Sequence, residues 1–283
     1  EAEAGSEFAV VDIIISEWMG YFLLRESMLD SLIRARDKFM KKGTGLMFPS
    51  HTTMYIAPVE DEEERHANVR EYSNAMGNWT EFAETTRSVY GVNMSILEKD
   101  YDREQKEYYM MSSRWSELRP EAVLADPVVL KELDMCTCTI ADSKGISRGA
   151  PQSTFDFEIQ GNDNVVGPIS AFAGWFTADF KSRTDEVGAS APKLPSPAFL
   201  STGPEAGYTH WGQQTFYLPA KIPILRGETN RIQGSLEMSR SKDNARLYNC
   251  RISYASSRRK SEESKDGKLL MQGSVVEQVY QIP

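Results

Sequence analysis

The hydrophobic pattern of the first fifty residues predicts one buried strand followed by one helix. Val11 and the run Ile13 to Ile15 are apolar with little interruption, which is typical of a strand covered on both faces in a parallel sheet. From Leu23 to Lys42 the apolar spacing becomes helical, and Gly43 is available to end the helix. The apolar stripe of this predicted helix consists of Leu24, Met28, Leu32, Ala35 and Phe39.

The middle of the chain has a different pattern. An acidic run from Glu60 to Glu64 is typical of a solvated helix start. From Asn78 to about Ala125, aromatic, aliphatic and methionine residues alternate with charged ones, and such a surface needs a partner. This segment is therefore either an arm that docks on another surface or a helical insertion that folds on its own chain.

After Asp126 the pattern is typical of strands. Seven segments alternate apolar and polar positions and are separated by clusters of Gly, Pro, Asn, Asp and Ser. They cover residues 133–140, 153–159, 169–180, 214–219, 232–238, 246–254 and 269–282. Regularly spaced short strands of this kind predict a sandwich or a barrel.

Composition narrows the class of protein. With 40% hydrophobic and 26% charged residues and no apolar run of membrane-spanning length, the sequence predicts a soluble globular protein without a membrane partner. The net charge of −9 disfavours nonspecific binding of nucleic acid and favours basic partners. The three cysteines, Cys136, Cys138 and Cys250, indicate neither a disulfide framework nor a zinc site. We therefore expect a reducing compartment, the cytoplasm or the nucleus.

Two carboxylates, Glu17 and Glu26, flank a glycine turn after the predicted first strand. The carboxyl end of a strand in an open α/β sheet is where ligands usually bind. A metal site would need histidine or a denser oxygen cluster than this stretch offers. A glycosidase pair, a carboxylate clamp for a planar guanidinium, and a helix cap beside a solvated acid all stay open from the residues alone.

Two separated motifs resemble one family. Residues 16–28, SEWMGYFLLRESM, resemble the double-glutamate loop of the protein arginine N-methyltransferases. Far along the chain, Thr209-His210-Trp211 within YTHWGQQTFYLP resembles a second motif of that family, in the same order. The similarity runs with gaps from about Ala9 to the C-terminus, and segments such as AMGNWTEF and EMSRSKDNARL resemble a plant branch of the family.

The resemblance implies roles for individual residues. Glu17 and Glu26 would be the catalytic carboxylates that orient a substrate guanidinium, and His210 would be a third catalytic residue as a proton acceptor or an orienting group. The implied substrate-binding residues are Trp18, Met19, Tyr21 and Trp211. The implied residues at the cofactor S-adenosyl-L-methionine are Met28 and Ser31, and no metal is implied. Met28 resembles the methionine of type I members, so mono- and asymmetric dimethylarginine are the expected products.

The resemblance also implies an architecture that is mostly β with some α. Residues 9–48 would be the end of a doubly wound, Rossmann-like cofactor domain. Residues 49–283 would form a β-barrel substrate domain that carries a helical dimerisation arm at about 78–125. Expected partners are arginine-containing proteins, such as Arg-Gly-rich tails or histones, and a second copy of the chain.

The start of the chain departs from the family pattern. Residues 1–8, EAEAGSEF, read as an expression tag. In the family a glycine-rich turn of the cofactor domain precedes the double-glutamate loop, and no such fingerprint occurs in these 283 residues. We therefore expect most of the cofactor site to lie outside this chain and the chain alone to be inactive. The alternative is a binding and dimerisation module without catalysis.

Overall fold

A computed structural model describes residues 10–162, 165, 167–182, 196–260 and 269–283. The predicted tag at residues 1–8 lies outside them. The described residues are mostly β, as predicted, with three α-helices: α1 (Leu29–Phe39), α2 (Glu62–Tyr90) and α3 (Ser95–Met110). None of these described helices combines the length and apolar character that crossing a membrane requires.

The strands of the described residues range from two residues, in Gly145–Ile146, to thirteen residues, in Glu228–Arg240 and Tyr248–Lys260. In chain order they are β1 (Ile13–Ile15), β2 (Leu46–Phe48), β3 (His51–Val59), β4 (Arg114–Ser116), β5 (Val128–Asp134), β6 (Gly145–Ile146), β7 (Thr154–Gln160), β8 (Ile169–Phe180), β9 (Ala198–Ser201), β10 (Gln213–Ile222), β11 (Glu228–Arg240), β12 (Tyr248–Lys260), β13 (Leu269–Gln272) and β14 (Val276–Ile282).

Strand β1 pairs in parallel with β2, from Ile13 opposite Leu46 to Ile15 opposite Phe48. The parallel pairing agrees with the sequence, but the predicted burial of both faces is wrong. Ile13 is 49% and Ile15 is 77% exposed. Among the described residues β1 has a single ladder partner and packs against the core through Ile14, so the residues that alternate with Ile14 face outward.

Helix α1 is shorter than the predicted span of Leu23 to Lys42. Four residues before it adopt positive φ angles, namely Phe22, Leu23, Glu26 and Ser27. An α-helix cannot include such residues, so it begins at Leu29. At the other end Met40 is extended, with ψ of 139°, and the helix stops before Gly43.

The first of two six-stranded sheets has the order β4-β10-β8-β3-β5, with β9 also paired to β8. Its central strand β8 is buried from Ile169 to Ala178, although alternation was predicted. One face of β8, with Phe172 and Phe176, joins the main core. The other face, with Ala173 and Trp175, packs in a second apolar cluster, so polar residues are not required on either side.

The second sheet has the order β13-β12-β11-β6, with β14 paired to β12 and β7 paired to β11. The longest pair of strands in this sheet is the antiparallel pair β11 and β12. It is in register from Glu228 opposite Lys260 to Arg240 opposite Tyr248. Both sheets contribute to one core, and the Tyr280 hydroxyl donates a hydrogen bond to the Tyr217 carbonyl across it, at 2.7 Å. No ladder among the described residues joins the two sheets, so a closed barrel stays a prediction.

The strand predicted at 133–140 ends at Asp134. The Asp134 carboxylate accepts hydrogen bonds from the backbone N–H of Cys136 at 2.8 Å and from the hydroxyl of Thr137 at 3.0 Å. An aspartate that bonds to the backbone two residues later favours a turn, and this turn replaces the rest of the predicted strand. Cys136, Cys138 and Cys250 form no disulfide in the described part of the chain.

Helices α2 and α3 form a helical hairpin, which we define as residues 62–110. Gly91, with φ of 67°, ends α2. The two helices contact each other through stacking of Trp79 on Tyr101, with ring centroids 4.6 Å apart. Asn68 is the one buried residue of α2, and α3 has none. Residue 78 lies inside α2, and the assignment of 78–125 as a dimerisation arm stays a prediction.

Candidate active site

The double-glutamate loop, residues 16–28, is a tight turn that requires glycine at one position. The Gly20 N–H donates to the Leu23 carbonyl at 2.9 Å, and the Arg25 N–H donates to the Tyr21 carbonyl at 3.3 Å. A Cβ on Gly20 would lie 2.0 Å from the carbonyl oxygen of Arg25. The turn therefore has no space for a side chain at Gly20.

Apolar residues of the loop anchor it in the core. Phe22, Leu23 and Leu24 are each at most 2% exposed. The Phe22 ring contacts Phe216 of β10 edge to face, with centroids 5.8 Å apart. It also lies against Gly174 of β8, where a Cβ would meet the ring at 2.3 Å. The first sheet thus fixes one side of the loop, which leaves the other side for its polar groups.

The two glutamates of the loop differ in their surroundings. Glu17 is exposed, and within the described residues its side chain makes no hydrogen bond or ion pair. The Glu26 side chain is 33% exposed and binds two guanidinium groups of its own chain. Its Oε2 accepts from Arg246 Nη2 at 2.7 Å, and its Oε1 accepts from Arg25 Nη1 at 3.3 Å. Glu26 is therefore placed where it can bind a guanidinium.

The connection between β11 and β12 fixes the backbone around Glu26. The Glu26 N–H donates to the Arg246 carbonyl at 2.7 Å, and the Ser27 hydroxyl donates to the Ala245 carbonyl at 2.5 Å. These bonds hold Glu26 and Ser27 at positive φ angles of 81° and 59°. Such conformations are unusual for non-glycine residues and persist where the surroundings determine them.

The structure brings the two separated sequence motifs together. Trp211 is 9% exposed, and its Nε1 donates to the carbonyl of Met19 at 2.8 Å. The exposed His210 ring lies beside Trp211, with centroids 3.8 Å apart. Trp115 of β4 fixes the same segment by donating from Nε1 to the His210 carbonyl at 3.2 Å. The Thr209-His210-Trp211 motif therefore packs directly on the double-glutamate loop.

The remaining predicted site residues occupy different depths. Trp18 and Met19 are buried, at 2% and 8% exposure. Tyr21 is half-buried, and the Arg25 guanidinium lies 5.3 Å from its ring centroid. Met28 is 47% exposed, and Ser31 is exposed in the first turn of α1. Their assigned roles stay predictions.

Comparison with known proteins identifies the family. The family model for the arginine methyltransferase oligomerization subdomain matches residues 50–259. The chain belongs to the protein arginine methyltransferase family. The plant branch suggested by the sequence is also found: protein arginine N-methyltransferase PRMT10 of Arabidopsis thaliana is 37% identical over 261 residues, which cover 90% of this chain and 63% of that protein. Its counterpart in Oryza sativa subsp. japonica is 38% identical over 245 residues, covering 86% and 60%. The chain thus spans less than two thirds of these relatives.

Solved structures agree with this assignment. The crystal structure of Arabidopsis thaliana protein arginine methyltransferase 10 matches with a TM-score of 0.79 and 32% identity, over 98% of this chain and 72% of that one. A Trypanosoma brucei PRMT1 enzyme-prozyme heterotetrameric complex with AdoHcy matches with a TM-score of 0.61 and 22% identity, over 97% of this chain and 69% of that one. This second likeness shows a shared fold.

Beside the double-glutamate loop lies a polar network that the sequence did not reveal. Asp30 of α1 accepts two hydrogen bonds from Arg240 of β11, at 2.9 and 2.6 Å, and pairs with Lys144 at 2.7 Å. Arg240 also donates from Nε to the Tyr248 hydroxyl at 2.9 Å. The Arg240 hydrogen bonds hold the pKa of Asp30 well below its usual range, although burial opposes the shift. An acid in a first helical turn was the one available signal, and it does not specify the partner.

The described part of the chain offers no metal site beside the loop, and its buried thiol Cys138 is not reactive. Within those residues no three side chains of His, Cys, Asp or Glu are grouped so as to hold a metal ion. Burial raises the pKa of the Cys138 thiol to about 11, so it stays protonated at neutral pH.

Proposed function

We propose that this chain is the C-terminal part of an S-adenosyl-L-methionine-dependent protein arginine N-methyltransferase that forms mono- and asymmetric dimethylarginine. We propose further that these 283 residues alone do not transfer methyl groups. One observation carries the assignment of the site. The hydrogen bond from Trp211 to the Met19 carbonyl, at 2.8 Å, joins two motifs that are far apart in the sequence.

The two carboxylates would make an arginine reactive. An arginine side chain keeps its proton at neutral pH because its pKa is very high, and its charge is delocalised, so it is a poor nucleophile in water. Glu17 and Glu26 would hold the planar guanidinium and concentrate its positive charge on the nitrogens that they contact. The remaining nitrogen would then be oriented for attack. The existing bond from Arg246 to Glu26, at 2.7 Å, supports this use of Glu26.

The cofactor, when bound, supplies an electrophilic methyl group on a sulfonium sulfur. Met28 and Ser31 would contact it, since both are exposed on the same turn, where the Ser31 N–H donates to the Met28 carbonyl at 3.0 Å. A thioether and a hydroxyl fit one edge of a nucleoside site. His210, exposed beside Trp211, would accept the proton that the substrate nitrogen loses.

Charge and exposure support the proposed partners. A groove of about 490 Å³ beside Trp115 is lined by several acids, among them Glu60, Glu63 and Glu117. This charge favours arginine-rich protein substrates, such as Arg-Gly-rich tails or histones. The helical hairpin exposes a further set of apolar residues: Phe82, Val89, Tyr90, Ile96 and Leu97. Because exposed apolar surface is typical of protein–protein contacts, we propose that residues of about 78–125, which include most of the helical hairpin, are a dimerisation arm for a second copy.

Transfer of labelled methyl from S-adenosyl-L-methionine to an Arg-Gly-rich peptide tests the proposal. The assay compares this chain with a version extended at its N-terminus by the preceding part of the Arabidopsis thaliana relative. We expect transfer from the extended protein only. In it, Glu26→Gln should remove nearly all turnover because the clamp loses one of its two charges, whereas Glu132→Gln, which changes an exposed acid of β5, should change little.

Three results would contradict parts of this proposal. Near-normal turnover of Glu26→Gln in the extended protein would overturn the role of Glu26. Transfer by the 283-residue chain alone would overturn its proposed inactivity. Absence of transfer from the extended protein, with peptide binding retained, would favour the alternative of a binding and dimerisation module.

A further inference from the structure

The Glu26 carboxylate, which is proposed to bind a substrate arginine, already binds two arginines of its own chain. Arg246, in the connection between β11 and β12, donates from Nη2 to Oε2 at 2.7 Å. Arg25, the residue before Glu26, donates from Nη1 to Oε1 at 3.3 Å. Each oxygen of the carboxylate thus accepts a hydrogen bond from one guanidinium. The two arginines differ in how firmly the rest of the chain holds their side chains.

Arg25 is held by more than its ion pair. Its side chain is 23% exposed, and its guanidinium lies 5.3 Å from the centroid of the Tyr21 ring, which is a cation–π contact. Its backbone N–H donates to the Tyr21 carbonyl at 3.3 Å. Because its side chain and its backbone both contact Tyr21, Arg25 is a fixed part of the double-glutamate loop.

Arg246 is held mainly through its backbone. Its carbonyl accepts from the Glu26 N–H at 2.7 Å, and its own N–H donates to Asn244 Oδ1 at 3.0 Å. Its side chain is 68% exposed, and in the described part of the chain its one ion pair is with Glu26. Since neither backbone bond uses the guanidinium, the Arg246 side chain can leave Glu26 while the backbone stays in place. An exposed ion pair of this kind contributes little to stability.

A substrate guanidinium needs the acceptor that Arg246 occupies. A guanidinium binds a carboxylate best through two parallel hydrogen bonds, which use both oxygens. A third guanidinium at Glu26 would also bring another positive charge to one carboxylate, and the like charges would repel one another. Because Arg25 is fixed and the Arg246 side chain is exposed, Arg246 is the group that a substrate arginine would replace.

We propose, on the basis of the proposed role of Glu26 as a substrate clamp, that Arg246 is an internal competitor of the substrate arginine. The substrate binds Glu26 only in molecules whose Arg246 side chain has left it. When a fraction of the molecules is competent to bind, the apparent affinity falls by that fraction. The expected reduction is about fivefold, which corresponds to about 1 kcal/mol, the upper end for an exposed ion pair. Arg246 thereby sets the concentration of arginine-containing partner that fills the site.

Nitrogen-15 NMR of the arginine guanidinium groups tests the competition in the 283-residue chain and does not require catalysis. Arg246→Gln assigns the Arg246 signal by removing it. Arg251→Gln assigns the signal of Arg251, whose pair with Glu277 at 2.6 Å is a matched reference. We expect a saturating Arg-Gly-rich peptide to move the Arg246 signal to the position of free arginine. The Arg251 signal should stay in place, which also shows that the fold is unchanged.

Peptide affinity, measured by fluorescence anisotropy of a labelled Arg-Gly-rich peptide, separates competition from other effects of Arg246. Arg246→Gln should raise the affinity about fivefold. Arg246→Lys keeps the positive charge but lacks the planar fork, so it should also raise the affinity, by about twofold. Arg251→Gln and Arg251→Lys should leave the affinity unchanged. If Arg246 merely oriented Glu26, both Arg246 variants would bind the peptide more weakly.

Several outcomes would overturn the internal competitor. An Arg246 signal that stays in place while the peptide saturates would exclude displacement. A gain in affinity for Arg246→Gln without one for Arg246→Lys would assign the effect to charge alone. Absence of peptide binding by the chain and by both variants would exclude Glu26 as a guanidinium site.

Failure of the proposed function has a different result. Absence of methyl transfer from the N-terminally extended protein, with displacement of Arg246 still observed, would reject the proposed function and keep the internal competitor. Transfer by that protein, together with an Arg246 signal that the peptide does not move, would support the proposed function and reject the internal competitor.

Discussion

The double-glutamate loop and the helical hairpin hold their shapes by different means. The loop contains four non-glycine residues with positive φ, and its conformation depends on contacts with β8, β10 and the β11–β12 connection. The hairpin consists of two regular helices with a single buried residue, Asn68. Surroundings determine the loop, whereas local helical bonds determine the hairpin. The proposed site residues of the loop thus lie where contacts with other segments fix the backbone, and the exposed apolar residues lie on helices that need few such contacts.

Substituting one glycine in each region should show the largest difference. Gly20→Ala places a Cβ 2.0 Å from the Arg25 carbonyl oxygen, so the turn must open. We expect a loss of about 3 kcal/mol in the free energy of unfolding. Gly77→Ala lies in α2 with nothing within 4 Å of its Cβ, and it should stabilise the protein by up to about 1 kcal/mol. Urea denaturation of both variants measures the two effects.

Equal and small effects of the two alanines would contradict the comparison. They would mean that the loop relaxes as readily as a solvated helix. The circular dichroism spectrum controls for global misfolding of Gly20→Ala, because α2 and α3 should keep their helical signal when only the loop opens.

Substituting one tryptophan in each region should give the next largest difference in stability. Trp211→Phe removes the bond to the Met19 carbonyl and leaves that buried acceptor unsatisfied. The expected loss of stability is about 2 kcal/mol, since burial makes an unmade bond costly. Trp79→Phe keeps an aromatic ring near Tyr101 in the hairpin and should cost less than about 1 kcal/mol. Thermal unfolding of the two variants, measured side by side, would refute the contrast if their midpoints fell together.

Two aspartates, one in each region, should make stability depend on pH. The Arg240 hydrogen bonds lower the pKa of Asp30 beside the loop, and the Lys106 hydrogen bond lowers the pKa of Asp102 in the hairpin. A folded-state pKa below the unfolded value of about 3.9 stabilises the protein above that value. This stabilisation disappears as the pH falls through the folded-state pKa. Asp30→Asn should therefore cost most stability at neutral pH and progressively less below about pH 4.

Added salt should distinguish the stabilising contributions of the two aspartates. The side chain of Asp30 is 20% exposed, so added salt should screen its pair with Arg240 only weakly. Asp102 pairs with Lys106, whose side chain is 48% exposed against 16% for Arg240, so salt should weaken the pair of Asp102 more than the pair of Asp30. Denaturation midpoints of Asp30→Asn and Asp102→Asn, each at low and high salt, test this. A salt-sensitive effect at Asp30 would contradict its protected placement.

The difference between the loop, which distant contacts fix, and the hairpin, which local bonds fix, explains which features the sequence could predict. Patterns that depend on local spacing were reliable, and most of the predicted strands after Asp126 are present. Patterns that depend on neighbours were not. The helical spacing from Leu23 was correct as a pattern, but contacts of the loop with other segments hold Leu23 and Glu26 at positive φ and delay α1 to Leu29. Likewise, an apolar run does not indicate that the side chains of Ile13 and Ile15 are exposed.

The candidate site was predictable to the extent that motifs specify residues. The sequence indicated Glu26 and Trp211, and the structure adds what each contacts. The partner of Asp30 is Arg240, which lies 210 positions away, and no periodicity relates the two. Likewise, the arginine on Glu26 comes from the β11–β12 connection. Partners that meet only after folding carry no local signal.

The smallest expected change in stability accompanies a change in binding. The Arg246 side chain is 68% exposed, and the backbone bond from Glu26 to its carbonyl does not need the side chain, so Arg246→Gln should cost at most about 1 kcal/mol. Arg251→Gln, which breaks a similar pair with Glu277, should cost about the same.

Removing Arg246, however, frees one oxygen of Glu26 that an arginine substrate needs. Calorimetric titration with an Arg-Gly-rich peptide should therefore show affinity that rises roughly fivefold for Arg246→Gln and stays unchanged for Arg251→Gln. A weaker peptide affinity for Arg246→Gln would mean that Arg246 orients Glu26 rather than competing for it.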